Sequence, residues 1–271
     1  MRRLRAVHAL VALCLLAGCR GVPPLRPLPS DDSRPGALLE AWARQAGERR
    51  ALRGTGSLAV DADGAAAGGR DLHFRSRQAL VLARPARLRV EVRSLLGTTA
   101  AVLATDGERY DFFRAEDRSF ESGPVHDGLL WEVARLALTP EEVVELMLGA
   151  PRLAAALSPT AAFDAGDGRV RIELSDAAGS VRRLVDFDAD GRLRWLQERR
   201  RGGAVAWQVE FDDYAPVDGA PLAHTLKIQL RGGRTRALLS LSGVELNPEL
   251  SPDIFHLDDL AAHEAREGGG G

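Results

Sequence analysis

The sequence predicts a mainly β domain of the α+β class. Its core is one curved antiparallel sheet forming a half-open barrel of about ten or eleven strands, with an N-terminal helix and inserted helices over the concave face. Three observations lead there. Short runs with apolar residues at every second position recur from Leu52 to Leu241, and turn residues separate them. A capped helical insert interrupts the series near its middle. So many one-sided strands must curl to hide their apolar side, and helices are the natural cover. At 271 residues, one such domain accounts for the chain. A membrane-spanning barrel is disfavoured, because the polar side of the strands is rich in Arg and Glu.

Taken in order, Ala37 to Arg50 reads as a helix, with Leu38, Leu39, Trp42 and Ala46 on neighbouring turns. From Leu52 the period changes to two. Leu58-Ala59-Val60 runs into the turn Asp61-Ala62-Asp63-Gly64, and Leu72, Phe74 and Leu80 to Leu82 form the return. Arg87-Leu88-Arg89-Val90-Glu91-Val92-Arg93 is the clearest strand, with Leu88, Val90 and Val92 on one face and charges on the other. Thr98 to Thr105 and Arg109 to Phe113 continue it. Thr139-Pro140-Glu141-Glu142 is a capping box with proline at the first helical position, and Gly149 stops that helix. Leu129 to Leu138 and Leu153 to Leu157 are shorter helical candidates. Strands resume at Arg169 to Leu174, Val181 to Phe187 and Leu193 to Leu196. Val205, Trp207, Val209 and Phe211 then share one face, as do Leu226, Ile228 and Leu230, and Ala237 to Leu241 closes the series.

The N-terminus has the three parts of an export signal: Arg2, Arg3 and Arg5, an apolar run from Ala6 to Leu16, then Leu16-Ala17-Gly18-Cys19. The run is shorter than the roughly 20 residues a spanning helix needs. The last four residues resemble the bacterial lipobox, which implies thioether lipidation of Cys19, cleavage before it and acylation of the new N-terminus. Cys14 lies in the part to be removed, so Cys19 would be the sole remaining cysteine and no internal disulfide is possible. Arg20 to Pro35 is proline-rich and reads as an extended tether of about 50 Å at roughly 3.1 Å per residue. The expected organisation is therefore 1–18 signal peptide, 19–36 lipidated cysteine and tether, 37–258 folded domain, and 259–271 disordered tail.

Several segments resemble the LolA/LolB-type lipoprotein carriers. Arg84-Pro85-Ala86-Arg87-Leu88-Arg89 is similar to a strand start common there, and Ser94-Leu95-Leu96-Gly97 to the apolar loop between the third and fourth strands of LolB. Asp188 to Leu193 matches the hairpin after the helices. Phe211 to Tyr214, Val217 to Leu222 and Asn247 to Leu257 match the C-terminal signature. The stretch from Gly123 to Pro159 is longer and more helical than in LolB. The resemblance covers roughly Leu52 to Leu257, and it implies an apolar concave face that holds acyl chains. In that reading Leu88, Val90, Val92, Trp207, Val209 and Phe211 line the cavity, while Leu95 and Leu96 form a loop that touches membrane or cargo. It also implies an outer-membrane lipoprotein facing the periplasm, with lipoprotein acyl chains or lipid as partners. A scaffold lipoprotein that binds an envelope protein, its concavity filled by its own helices, is the alternative.

Enzyme chemistry finds no support. There is no G-x-S-x-G elbow, P-loop or dinucleotide fingerprint. Asp186 to Gly191 opens like a calcium loop, but Gln197 stands where the bidentate Glu belongs, so an Asp-Gly hairpin is the better reading. His73, His126, His224, His256 and His263 lack metal-ligand spacing. No metal or cofactor is expected. The formal charge of −2, which loses three arginines with the signal, gives no overall attraction to nucleic acid or to anionic lipid.

Overall fold

In the computed structural model, residues 24–64, 69–94 and 97–257 are described. Cys19, Leu95, Leu96, His263 and the tail from 259 lie outside them. The strands are β1 (Arg26–Pro27), β2 (Ala51–Ala62), β3 (Leu72–Ala83), β4 (Arg87–Arg93), β5 (Thr99–Thr105), β6 (Arg109–Arg114), β7 (Ser119–Pro124), β8 (Ser158–Asp164), β9 (Val170–Ser175), β10 (Val181–Phe187), β11 (Leu193–Arg200), β12 (Val205–Val217), β13 (Ala220–Leu230) and β14 (Thr235–Leu246). All belong to one 14-stranded sheet in the order β1-β8-β9-β10-β11-β12-β13-β14-β2-β3-β4-β5-β6-β7. Every pairing is antiparallel, and β7 and β1 are unpaired edges, so the sheet curves without closing. Ala51 to Leu58 has the alternation of a strand despite Gly54 and Gly56, because β3 and β14 hold it on both sides.

The count exceeds the expected ten or eleven for identifiable reasons. Ser119–Pro124 and Ser158–Asp164 carry Ser, Gly and Pro and lack clean alternation; pairing to β6 and β9 makes them strands. Arg26 and Pro27 fall within the stretch read as tether, yet they pair with Asp164 and Phe163, and the Leu28 N–H donates to Ala162 O at 2.9 Å. The chain from Arg26 onward therefore belongs to the sheet of the domain. It also joins the domain at the end carrying the β8–β9, β10–β11 and β12–β13 turns, here called the base.

Three helices follow: α1 (Arg34–Glu48), α2 (Leu129–Ala134) and α3 (Pro140–Met147). Leu153 to Leu157, expected to be helical, forms a turn instead. Thr139 caps α3 as its sequence demands: Oγ1 accepts the Glu142 N–H at 3.2 Å, and Glu142 Oε2 accepts the Thr139 N–H at 2.8 Å. At the other end Gly149 takes φ +66°, and a Cβ there would sit 3.1 Å from both Arg49 Nη1 and Leu222 Cδ1. Only glycine fits that crowded stop.

Two buried arginines fix the helices to the sheet. Arg49, 3% exposed, donates to Leu148 O at 2.9 Å and to Pro221 O at 2.5 Å, tying the end of α3 to the start of β13. Arg84 donates to Ala46 O in α1, to Ala150 O at 2.9 Å and to Glu145 Oε2 at 2.9 Å in α3. Glu145 also accepts from Arg152 at 2.7 and 2.8 Å. Burial pulls both guanidinium pKa values below their usual range, and Glu145 opposes that pull on Arg84. Outside the barrel, Asn247 adopts φ +51° and its Oδ1 accepts the N–H groups of Arg50 and Ala51. This turns the C-terminal segment across the outer face, where Phe255 packs on Ala51 and Ala83, and Leu257 on Val102 and Ala104.

Two stability changes follow. Thr139→Ala should cost about 1 kcal/mol by removing one half of the cap. Glu145→Ala should cost about 3–5 kcal/mol because it strands the buried Arg84 charge. Urea unfolding of both variants measures the difference; equal costs would show that the ion pair does not hold the helix.

Candidate functional site

The inner face of the sheet carries Leu52, Leu82, Leu88, Leu103, Leu196, Val209, Phe211 and Leu226, all in one core cluster with Trp42 and Ala46 of α1 and Val144, Leu146 and Met147 of α3. Trp42 meets Phe187 edge-on at 5.7 Å. α1 packs on β9 and α3 on β4, and with the apolar residues of β9 to β13 they fill the inner space at the base. Four of the six expected lining residues, Leu88, Trp207, Val209 and Phe211, are buried in this packing, at 1%, 3%, 0% and 1% exposed. Trp207 further donates its indole N–H to Glu142 Oε1 of α3 at 3.0 Å.

The inner face is less covered on the other arm. Val90 and Val92 are half-buried, and so are their inner-face neighbours Leu58, Ala101 and Phe112. Phe74 is 39% exposed. Register brings them together: Val90 pairs with Leu80 and Leu103, Val92 with Gln78 and Ala101, Leu103 with Phe112, and Val60 with Phe74. Val143 of α3, half-buried against the core, forms the near wall. This apolar stretch lies toward the end opposite the base, here called the rim, where the β4–β5 hairpin carries Leu95 and Leu96 in sequence.

Across the concavity the inner face of β10 and β11 is polar at the same level. Arg183 donates to Glu198 at 3.0 and 3.2 Å, and its guanidinium lies 5.9 Å from the Trp207 ring centre. Arg200 adds longer ion pairs to Glu198 and Glu142, at 3.6 and 3.9 Å. One wall is therefore apolar and partly covered, the other charged and joined to α3 through Glu142. Alternation alone did not reveal that charge, because Arg183 and Glu198 sit at inward positions where apolar residues are the rule.

Two further pockets lie mainly on the outer face. One of about 280 Å³ is lined by Arg171, Asp186, Trp195 and Asp212, and another of about 300 Å³ by Arg53, Ala79, Val81 and Ile254. Arg171 closes on Asp186 at 2.6 and 2.7 Å and stacks 5.0 Å from the Trp195 ring centre, which leaves the first pocket charge-satisfied.

The calcium-like segment is a hairpin. Both Asp186 oxygens are taken by Arg171, and Asp188 Oδ1 accepts the N–H groups of Asp190 and Arg192 at 3.0 and 2.9 Å. Gly191 completes the turn at φ +76°. His73 pairs with Asp61 at 2.8 Å, His126 with Glu132 at 3.6 Å and His256 with Asp106 at 3.8 Å, while His224 Nδ1 lies 3.1 Å from Leu222 O. Among the described residues no group of three or more His, Cys, Asp or Glu is placed to hold a metal ion. Tyr214, whose hydroxyl donates to Leu193 O, has its pKa raised by burial and acts as a strut.

No protein-family model matches this chain, and no curated protein matches its sequence. Solved structures do match its fold. A LolA superfamily protein from Nitrosomonas europaea aligns with a TM-score of 0.53 at 12% identity, covering 81% of this chain and 98% of that one. A domain from Vibrio parahaemolyticus, described as an outer membrane lipoprotein-sorting protein, aligns at 0.51 and 11% identity over 83% and 97%. A DUF1329 family protein from Desulfovibrio piger gives 0.53 and 9% over 83% and 98%. At such identities the agreement concerns the backbone alone: the chain has the half-open barrel fold of the LolA/LolB type.

Proposed function

We propose that this chain is a lipid-anchored lipoprotein of the outer membrane, facing the periplasm, whose inner face takes up acyl chains and assists lipoprotein or lipid delivery. The observation that carries this reading is the only partly covered apolar stretch of Leu58, Val90, Val92 and Phe112 with the exposed Phe74, beside an inner face that is fully buried at Leu88, Val209 and Phe211. Leu88, Trp207, Val209 and Phe211 then serve as the packed wall behind the chain rather than its direct contacts. Burial of hydrocarbon is worth about 0.8 kcal/mol per methylene, so binding requires no charged or catalytic group. Leu95 and Leu96, between β4 and β5, act in this reading as the apolar finger beside the opening. Cys19 carries the anchor. The similar solved structures, one from the LolA superfamily and one described as lipoprotein-sorting, support the envelope setting.

A second reading has its own observation. Because Leu146, Met147 and Trp42 already occupy the base of the concavity, the barrel also suits a scaffold that binds an envelope protein and carries no lipid.

Native mass spectrometry of the purified chain separates the two. The carrier reading predicts co-purified lipid that is displaced by added fatty acid. Val92→Glu and Phe74→Glu, both at incompletely buried positions, should lower fatty-acid affinity at least tenfold with little change in melting temperature. A lipid-free protein whose variants bind as the parent does would leave the scaffold. Cys19→Ala should abolish metabolic labelling with palmitate, and Leu96→Glu should reduce delivery to membranes while folding is kept.

A further inference from the structure

The near-neutral total charge conceals an uneven distribution. At the rim, the outer face of β3 and β4 presents Arg75, Arg77 and Arg93, all exposed. Arg77 and Arg93 are direct cross-strand partners. Like charges opposite one another on a sheet are destabilising, and such pairs are ordinarily relieved by a carboxylate nearby. Glu91 holds Arg89 at 2.9 Å, and Asp61, which holds His73 at 2.8 Å, lies on the side of Arg75 and Arg236 and leaves the Arg77–Arg93 pair without a carboxylate of its own. Among the described residues neither Arg77 nor Arg93 has an ion-pair partner. In the next cross-strand row, Arg75 faces Ala59, and Ala59 faces Leu238, which is 44% exposed. One row further Arg236 faces Asp61, and the chain turns out of β4 directly after Arg93.

We propose that this outer rim of β3, β4 and β14 is a docking surface for the headgroups of an anionic phospholipid bilayer. The unrelieved pair Arg77 and Arg93, with the exposed Arg75 and Leu238 beside it, fits such a surface: the guanidinium groups take phosphate oxygens in forked pairs, and Leu238 enters the headgroup layer. An arginine held near an anionic membrane strengthens binding roughly fivefold, so three together supply on the order of a hundredfold. The surface stands independently of acyl-chain uptake. Its position adds a direction: Arg26 joins the domain at the base, beside Asp164, so the docking rim is at the far end from the incoming chain. A protein held by its N-terminus would offer this rim to a second membrane.

The test holds the full chain on a sensor surface by its N-terminus and passes over vesicles of phosphatidylcholine alone or mixed with phosphatidylglycerol. The mixed vesicles should be captured preferentially, and added salt should remove the preference. Arg77→Glu turns the facing pair into an attractive one, so it should raise the melting temperature while lowering capture at least tenfold. Arg75→Gln with Arg93→Gln should lower capture without unfolding the domain. Equal capture of both vesicle types, or an undiminished preference in Arg77→Glu, would overturn the proposal and assign the arginines to an acidic protein. Fatty-acid affinity measured on the same variants should stay at the parental value, which separates this surface from the inner face.

Discussion

A sheet of fourteen strands with one apolar face has to hide that face, and how it does so governs everything else in this molecule. Curvature alone brings the two arms toward each other but leaves a trough. The trough is covered by α1 and α3, and those helices stay in place through Arg49 and Arg84, whose donors satisfy the carbonyls of Ala46, Leu148, Ala150 and Pro221. Those of Ala46, Leu148 and Ala150, at or just past helix ends, would otherwise lack partners. The arginines carry the cost of burying charge, and Glu145 offsets it for Arg84.

The cover is incomplete and asymmetric, and the proposed function rests on that asymmetry. α3 reaches across to β12 through Glu142 and Trp207, so that arm is sealed and lined by Arg183 and Glu198. On the opposite arm it packs on β4, yet Val90, Val92 and Phe112 stay half-buried. Closed packing at the base secures the fold, while the rim end contributes fewer fully buried residues. The same end carries the outward-facing arginines. Apolar recess and basic rim therefore share one pole of the domain, and the chain enters at the other.

Much of this was legible in the sequence, for physical reasons that differ by element. Leu88-Val90-Val92 and Val205 to Phe211 alternate cleanly because one side of each strand meets core and the other meets water. The α3 cap was readable because Thr139, Pro140 and Glu142 each answer a local backbone demand. The N-terminal helix came out slightly shorter at its end and longer at its start, since Pro35 begins it comfortably. Ser119–Pro124 and Ser158–Asp164 were illegible because partners, not propensity, make them strands. The clamps were illegible too: Arg49 and Arg84 act across 99 and 61 residues of chain, and nothing in their neighbourhood marks them as buried. Of the expected lining set, the sequence identified the inward face but gave no means of telling Val90 and Val92 from Val209 and Phe211. That distinction depends on where α3 lies.

The central claim is that a hydrocarbon tail lodges against one arm of the inner face and not the other. A spin-labelled fatty acid added to methyl-labelled protein addresses it directly by paramagnetic broadening in solution. The account predicts loss of the Val90, Val92 and Leu58 signals with those of Val209, Leu222 and Leu226 preserved. Broadening confined to the outer face, or spread evenly through the core, would contradict it.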